Sequence, residues 1–260
     1  MKWRYWVERP PASFDVRDEI IFENASFSPS DRVLEVGVGL AGTTYKLASQ
    51  VAQVTAADVS RELIQYLTAR KRIPNIEFVP VDVSAPEARE VLRGPFDAVV
   101  SEDTLEHVEK PPGFFRSIAD VLKPGGTFVF TFPNERAPSH GITRFSTRSE
   151  LAELIRASGF STVELYCVEL RRHARLIESV FADLPIRVLR AVRHNPDHDP
   201  QVFHETWSFG ARHKLERFRV LIHAYWGFVR GLMKAARPIY RKTPAEEEIL
   251  DRRLLVFAKR

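Results

Sequence analysis

The chain is poor in sulfur, with one cysteine (Cys167) and two methionines in 260 residues. A single thiol excludes an intrachain disulfide framework and fits a reducing compartment. No stretch reaches the roughly 18–20 consecutive apolar residues needed to cross a bilayer. The opening Met1-Lys2-Trp3-Arg4-Tyr5-Trp6 has no apolar run of the secretory-leader kind, so the cytoplasm is the expected location. There is no internal repeat and no low-complexity tract, which argues against a solenoid. A large charge excess is also missing: 38 Lys and Arg face 34 Asp and Glu, for a net charge of +4. The surplus is concentrated between Arg171 and Lys242, where acids are few outside one loop. That pattern suits an anionic substrate or surface without choosing among nucleic acid, lipid headgroup and sugar phosphate. What remains is ordinary for a globular protein, 44% hydrophobic and 28% charged. The length suits one α/β domain with an elaboration, or at most two domains.

From Val33 to Val168 strand and helix patterns alternate. Short runs rich in Val, Phe and Ile predict strands at Arg32–Val36, Gln53–Ala57, Ile76–Val81, Asp97–Ser101, Thr127–Phe132 and Thr162–Val168. Ser84-Ala85-Pro86-Glu87 and Thr147-Arg148-Ser149-Glu150 read as capping boxes that open helices. The second helix stops at Gly159. A helix over Phe114–Leu122 runs into the turn Lys123-Pro124-Gly125-Gly126. Such alternation predicts a doubly wound, mostly parallel sheet. After Val168 the pattern turns helical to Leu250, and a last strand, Leu254–Ala258, is expected to return beside Thr162–Val168. The expected organisation is an N-terminal cap segment (1–31), a core of seven strands (32–168 and 251–260) and a helical insertion (169–250) long enough to have a task of its own, such as an acceptor lid.

Within Val33-Leu34-Glu35-Val36-Gly37-Val38-Gly39-Leu40-Ala41-Gly42, three glycines stand at the G-x-G-x-x-G spacing of a nucleotide-binding turn between strand and helix. Glu35 chooses between ligands. A dinucleotide brings an anionic pyrophosphate to this turn, and a carboxylate two residues before the first glycine opposes it. A cofactor carrying an ammonium and a sulfonium, S-adenosylmethionine, is favoured by the same carboxylate. Asp58 closes the second strand, where it can accept both ribose hydroxyls. Asp82 closes the third, where it can accept from an exocyclic adenine amine. Either Asp alone could be a helix N-cap, since Ser60 and Ser84 follow closely; the register of all three acids with the glycine turn is what favours a nucleoside site.

The chain here resembles the class I S-adenosylmethionine-dependent methyltransferases, from about Arg32 to Gly159. The likeness rests on Val33–Gly42, Val54–Ser60, Asp82, Phe96–Ser101 followed by Leu105-Glu106-His107-Val108, and Val121-Leu122-Lys123-Pro124-Gly125-Gly126. The Leu-Glu-His-Val and Leu-Lys-Pro-Gly-Gly pieces look most like the small-molecule branch that includes ubiquinone-pathway O-methyltransferases, as do Phe132-Pro133-Asn134 and the stretch from His140 to Phe160. The resemblance implies a Rossmann-like fold and S-adenosyl-L-methionine as cofactor. It implies Glu35 with the Gly37–Gly39 backbone at the methionine end, Asp58 at the ribose, and Asp82 with Val83 beside adenine, Val59 and Ser101 completing the set. Ala41 departs from the family, which often has glycine there.

An activated methyl donor leaves the protein mainly to align the acceptor, and a hydroxyl acceptor gains from a base. His107, after the fourth strand, and His140, in the loop after Pro133-Asn134, are the candidate bases, with Asp103 a third; the plain alternatives are local packing and loop polarity. The Asn/Asp-Pro-Pro-aromatic signature of nucleobase and protein-amide methylation is absent, since Ser101-Glu102-Asp103-Thr104 stands in its place. A small-molecule hydroxyl, such as one on a sugar- or lipid-linked metabolite, is therefore the expected acceptor, with no nucleic acid. No metal is expected: His194–Pro200 with His204 and Glu205 fits no compact ligand spacing. On Arg212–Arg237, Leu215, Phe218, Leu221, Ile222, Tyr225, Phe228, Val229 and Leu232 share a face beside many cations. Such a helix can cover the domain, contact a membrane surface peripherally or form a homodimer face. Trp3, Tyr5 and Trp6 are expected to pack structurally. The rivals are a NAD-dependent oxidoreductase, which the glycines also fit, and a non-catalytic binding module of methyltransferase-like fold.

Overall fold

A computed structural model describes residues 17–70, 73–135, 141–183 and 219–260. Strands β1 (Arg32–Val36), β2 (Gln53–Asp58), β3 (Ile76–Pro80), β4 (Phe96–Glu102), β5 (Leu122–Asn134), β6 (Thr162–Leu170), β7 (Tyr240–Pro244) and β8 (Arg252–Lys259) form one sheet in the order β3-β2-β1-β4-β5-β8-β6-β7. Strands β1 to β5 pair in parallel, while β8 runs antiparallel to both β5 and β6. The sheet is thus mostly parallel and doubly wound, as the alternation predicts, and Leu254–Ala258 returns beside Thr162–Val168. It has eight strands rather than seven. The added one, β7, lies within the stretch read as helical to Leu250. Tyr240-Arg241-Lys242-Thr243-Pro244 is short, cationic and ends in proline, the composition of an edge strand.

The described residues divide into two compact units. The larger is Asp18–Glu169 with Lys242–Arg260; the smaller includes Leu170–Arg241. In the larger, helices α1 (Glu19–Phe22), α2 (Gly42–Ala48), α3 (Arg61–Arg70), α4 (Ala88–Leu92), α5 (Pro111–Val121) and α6 (Arg148–Ala157) flank the sheet in sequence. Its core is aromatic: Phe114, Phe115, Phe128, Phe130 and Phe132 are all buried, with Phe128 and Phe130 stacked 4.7 Å apart. Helix α6 starts as expected: Thr147 Oγ1 accepts from Glu150 N at 3.1 Å, and Gly159 with φ 108° follows its end. Ser84, by contrast, opens no helix. Its amide and hydroxyl are both spent on Asp82 Oδ1, at 2.9 and 2.6 Å, and α4 begins only at Ala88. Lys123-Pro124-Gly125-Gly126 lies inside the span of β5, where the register on β4 shifts.

In the smaller unit α7 (Arg172–Glu178) leads into a single π turn (Ser179–Asp183), and α8 spans Arg219–Ala235. Ala174, Met233 and Ile239 make its described core. Val229 is also buried, and Tyr225 Oη donates to Phe181 O at 2.6 Å. Phe228, expected on the apolar face of α8, is 55% exposed and touches Phe181 only edge-on; Met233 takes the buried place. Residues 212–218 of the expected helix, together with Trp3, Tyr5 and Trp6 and the His194–Glu205 stretch, lie outside the described residues. Among the described residues no helix is long and apolar enough to cross a membrane, and no group of three His, Cys, Asp or Glu could hold a metal ion.

Candidate active site

The strand order reverses between β1 and β4, which are neighbours through pairs such as Glu35↔Val100 and Val36↔Ser101. Open α/β sheets bind ligands at the carboxyl edge beside such a reversal. Glu35, Asp58 and Glu102 all stand at that edge, on the last or next-to-last residue of β1, β2 and β4.

The turn after β1 is built from left-handed residues. Gly37 has φ 80° and donates its amide to Ala57 O at 2.8 Å. A Cβ there would meet Thr104 Oγ1 at 2.1 Å, so glycine is required by both conformation and space. Gly39 has φ 48°, and a Cβ on it or on Gly42 would meet nothing within 4 Å among the described residues. The turn is therefore closed beneath Gly37 and open before Gly39 and Gly42. Ala41, at φ 61°, takes the left-handed conformation that glycine adopts freely. The departure from the family pattern thus keeps the backbone path and adds strain of about 1 kcal/mol.

Glu35 is only 2% exposed, and its Oε2 has no hydrogen-bond partner among the described residues; the same is true of Thr44 Oγ1. Burial pushes the Glu35 carboxyl up to about 8, the nearby Thr44 hydroxyl offsets part of this, and the Glu102 and Asp58 charges push it further up. Partial burial also raises Asp58, against the amides of Ser60, Gly39 and Val38, which favour its ionised form. Asp58 Oδ1 accepts from Ser60 N at 2.9 Å. Glu102 Oε2 accepts from Thr43 Oγ1 at 2.9 Å, tying β4 to the start of α2. A buried acid with one oxygen unpartnered among the described residues, beside an open turn, is set for a cationic group. The residues present fit the amino acid end of S-adenosylmethionine better than a pyrophosphate, whose charge three carboxylates would oppose.

The other expected residues fall in different surroundings. Asp82 is exposed, two residues past β3, with Oδ1 engaged by Ser84. Val83 is buried in the core while Val59 is 71% exposed. Ser101 is buried, and its hydroxyl donates to Val36 O at 3.0 Å, so it braces the turn from below. His107 ends a 3-10 turn (Leu105–His107) directly after β4; its ring is about half exposed, with Nε2 3.9 Å from Glu106 Oε1. The chain beyond the 136–140 segment folds onto this turn, with Ile142 N and Thr143 N both donating to Glu106 O. His140 lies outside the described residues. Glu102 and Thr43 were not singled out in the sequence; only the β1–β4 pairing, which brings distant strand ends together, reveals them.

Residues 34–130 match the family model described as a methyltransferase domain. A ubiquinone biosynthesis O-methyltransferase of Albidiferax ferrireducens is 28% identical over 168 residues, covering 64% of each chain. A malonyl-[acyl-carrier protein] O-methyltransferase of Prosthecochloris aestuarii is 33% identical over 115 residues, or 42% of each chain. This chain thus spans less than two thirds of the length of either relative. Among solved structures, the Haemonchus contortus phosphoethanolamine N-methyltransferase 2 in complex with S-adenosyl-L-methionine is similar, with a TM-score of 0.52 and 17% identity over 94% of this chain and 52% of that one. At that identity the likeness is one of fold. The glycine turn, the buried acid and the matched stretch agree, and residues 34–130 carry a methyltransferase domain.

Proposed function

We propose that this chain transfers a methyl group from S-adenosylmethionine to an oxygen, a hydroxyl, of a small molecule. The observation that carries the reading is the buried Glu35 carboxyl, with Oε2 unpartnered, beside a turn open at Gly39 and Gly42. Glu35 and the turn backbone would hold the methionine end, and Asp58 the ribose hydroxyls. Asp82, with the Val83 backbone, would border adenine. The cofactor supplies a methyl group already activated on a sulfonium, so the chain's share is to align the acceptor and remove its proton. His107 is the proposed base, supported by its half-exposed ring on the turn after β4. Both relatives above carry O-methyltransferase in their names, which supports oxygen over nitrogen.

Acceptor choice is proposed to lie with the insertion. Strand β6 runs parallel to β5, and β8 antiparallel to both, so β6 ends and β8 begins at the carboxyl edge of the sheet. Calorimetry with S-adenosylhomocysteine and with NAD tests the cofactor: the first is expected to bind and the second not, and NAD binding alone would overturn the reading. Mass spectrometry after incubation with methyl-labelled cofactor and a panel of catechols, phenols and primary amines tests the acceptor. Label confined to amines would refute the hydroxyl.

A further inference from the structure

The geometry points to Arg253, the second residue of β8, as a positioning residue for the cofactor turn, acting through Asp103; the inference rests on the proposed adenosyl-cofactor site. Asp103 follows β4 with φ 45°, a conformation that residues other than glycine rarely hold. Its side chain is held from two other strands. Arg253 Nη1 donates to Oδ1 and Oδ2 at 2.5 and 2.7 Å, and Thr131 Oγ1 of β5 donates to Oδ1 at 2.9 Å. The Asp103 amide points at Thr131 as well, 3.2 Å from its hydroxyl. Both charged side chains are largely shielded, 25% exposed for Arg253 and 13% for Asp103, where an ion pair is firmer than on an open surface.

The residues on either side of Asp103 build the turn. Glu102 accepts from Thr43 at the start of α2. Thr104 Oγ1 donates to Val36 O at 3.2 Å and to Glu102 O at 3.1 Å, and it occupies the space beneath Gly37. Three consecutive residues therefore divide the work. Asp103 is the anchored centre, Glu102 fixes the helix that follows the turn, and Thr104 forms its floor. Releasing Asp103 removes the force holding a strained residue and lets both neighbours swing. The backbone pairing of β8 needs nothing of this guanidinium. Arg252, next to it, makes a long contact of 3.7 Å to the half-exposed Glu169 and serves as an internal control.

The test is S-adenosylhomocysteine binding by calorimetry to the full chain, beside amide hydrogen exchange at Gly37, Val38 and Gly39. Arg253→Met is expected to weaken binding about tenfold or more and to speed exchange at the turn, because a strained loop loses a charged, shielded anchor. Arg253→Lys, which keeps the charge, should come back to within about threefold of the parent, and Arg252→Met should bind like it. Equal binding by Arg253→Met and the parent overturns the inference, as does equal weakening by Arg252→Met. Should Arg253→Met not fold, Asp103→Asn carries the measurement, expected about threefold weaker or more, with parent-like binding overturning the inference. If the parent chain binds no S-adenosylhomocysteine, the cofactor reading itself falls. Exchange then decides separately whether Arg253 holds the turn: faster exchange in Arg253→Met supports it and unchanged exchange refutes it.

Discussion

The two compact units of this chain bury their residues in different ways. In the larger, four adjacent parallel strands, β2, β1, β4 and β5, are covered so thoroughly that Val33, Leu34, Val54, Ala56, Val99, Val100, Phe128 and Phe130 are all within 1% of complete burial. In the smaller, the described core is Ala174, Met233 and Ile239, bordered by half-buried Leu170, Ile177, Ala236 and Tyr240. A sheet wrapped on both sides supplies rigid strand ends, which a site needing sub-ångström placement of carboxylates requires. The contrast bears on the proposed division of cofactor and acceptor binding between the sheet and the insertion.

The comparison is broken most severely through Glu35. Folded, its carboxyl titrates at about 8 against an ordinary 4.5, so the folded chain keeps a proton that the unfolded chain releases across that window. Stability is therefore lost as pH rises from 4.5 to 8, by at most about 4–5 kcal/mol at 1.36 kcal/mol for each pH unit. Glu35→Gln removes this slope. It should melt close to the parent at pH 5 and well above it at pH 9, with S-adenosylhomocysteine binding abolished. Parallel melting curves across that range would show that Glu35 carries no buried proton.

Gly37→Ala strikes the same site through shape. The new Cβ meets Thr104 at 2.1 Å in a left-handed residue, which predicts a loss of roughly 2–4 kcal/mol in urea unfolding. A smaller effect, of about 2–3 kcal/mol, is expected for Met233→Ala in the smaller unit. Hydrogen exchange should locate it: faster in α8, unchanged in β1, β2 and β4. An equal rise in those strands would mean that the two units unfold as one. Ala41→Gly should change least. Relief of about 1 kcal/mol of left-handed strain is set against a fully buried methyl group worth about 0.8 kcal/mol. Urea midpoints of the two chains should nearly coincide; a large loss would mean that the methyl matters more to packing than its backbone strain costs.

Much of this was readable along the chain, for local reasons. Runs such as Phe96-Asp97-Ala98-Val99-Val100-Ser101 announce strands buried on both faces, and glycine at position 37 announces a turn no other residue fits. Strand β7 was harder to see because Tyr240–Pro244 is an edge strand, with exposed cations and no apolar run. Ser84 misled for a different reason: the same Ser-x-x-Glu spacing that caps α6 at Thr147 is diverted here by Asp82, two residues upstream. Asp58 and Asp82 read alike in sequence, yet one is drawn against the amides of the glycine turn and the other is exposed and bonded to its neighbour.

By itself the sequence determined the alternating fold, the place of the glycine turn, and an acid two residues before it, because strand, turn and helix preferences act over a few neighbouring residues. Only the tertiary structure decided that Glu35 is buried with one oxygen unpartnered among the described residues, that Ser101 and Thr104 are spent on the Val36 carbonyl rather than left facing a ligand, and that Arg253 reaches Asp103 from 150 residues away. Those outcomes depend on which strand ends become neighbours and on how completely water is excluded between them, and both are properties of the assembled sheet.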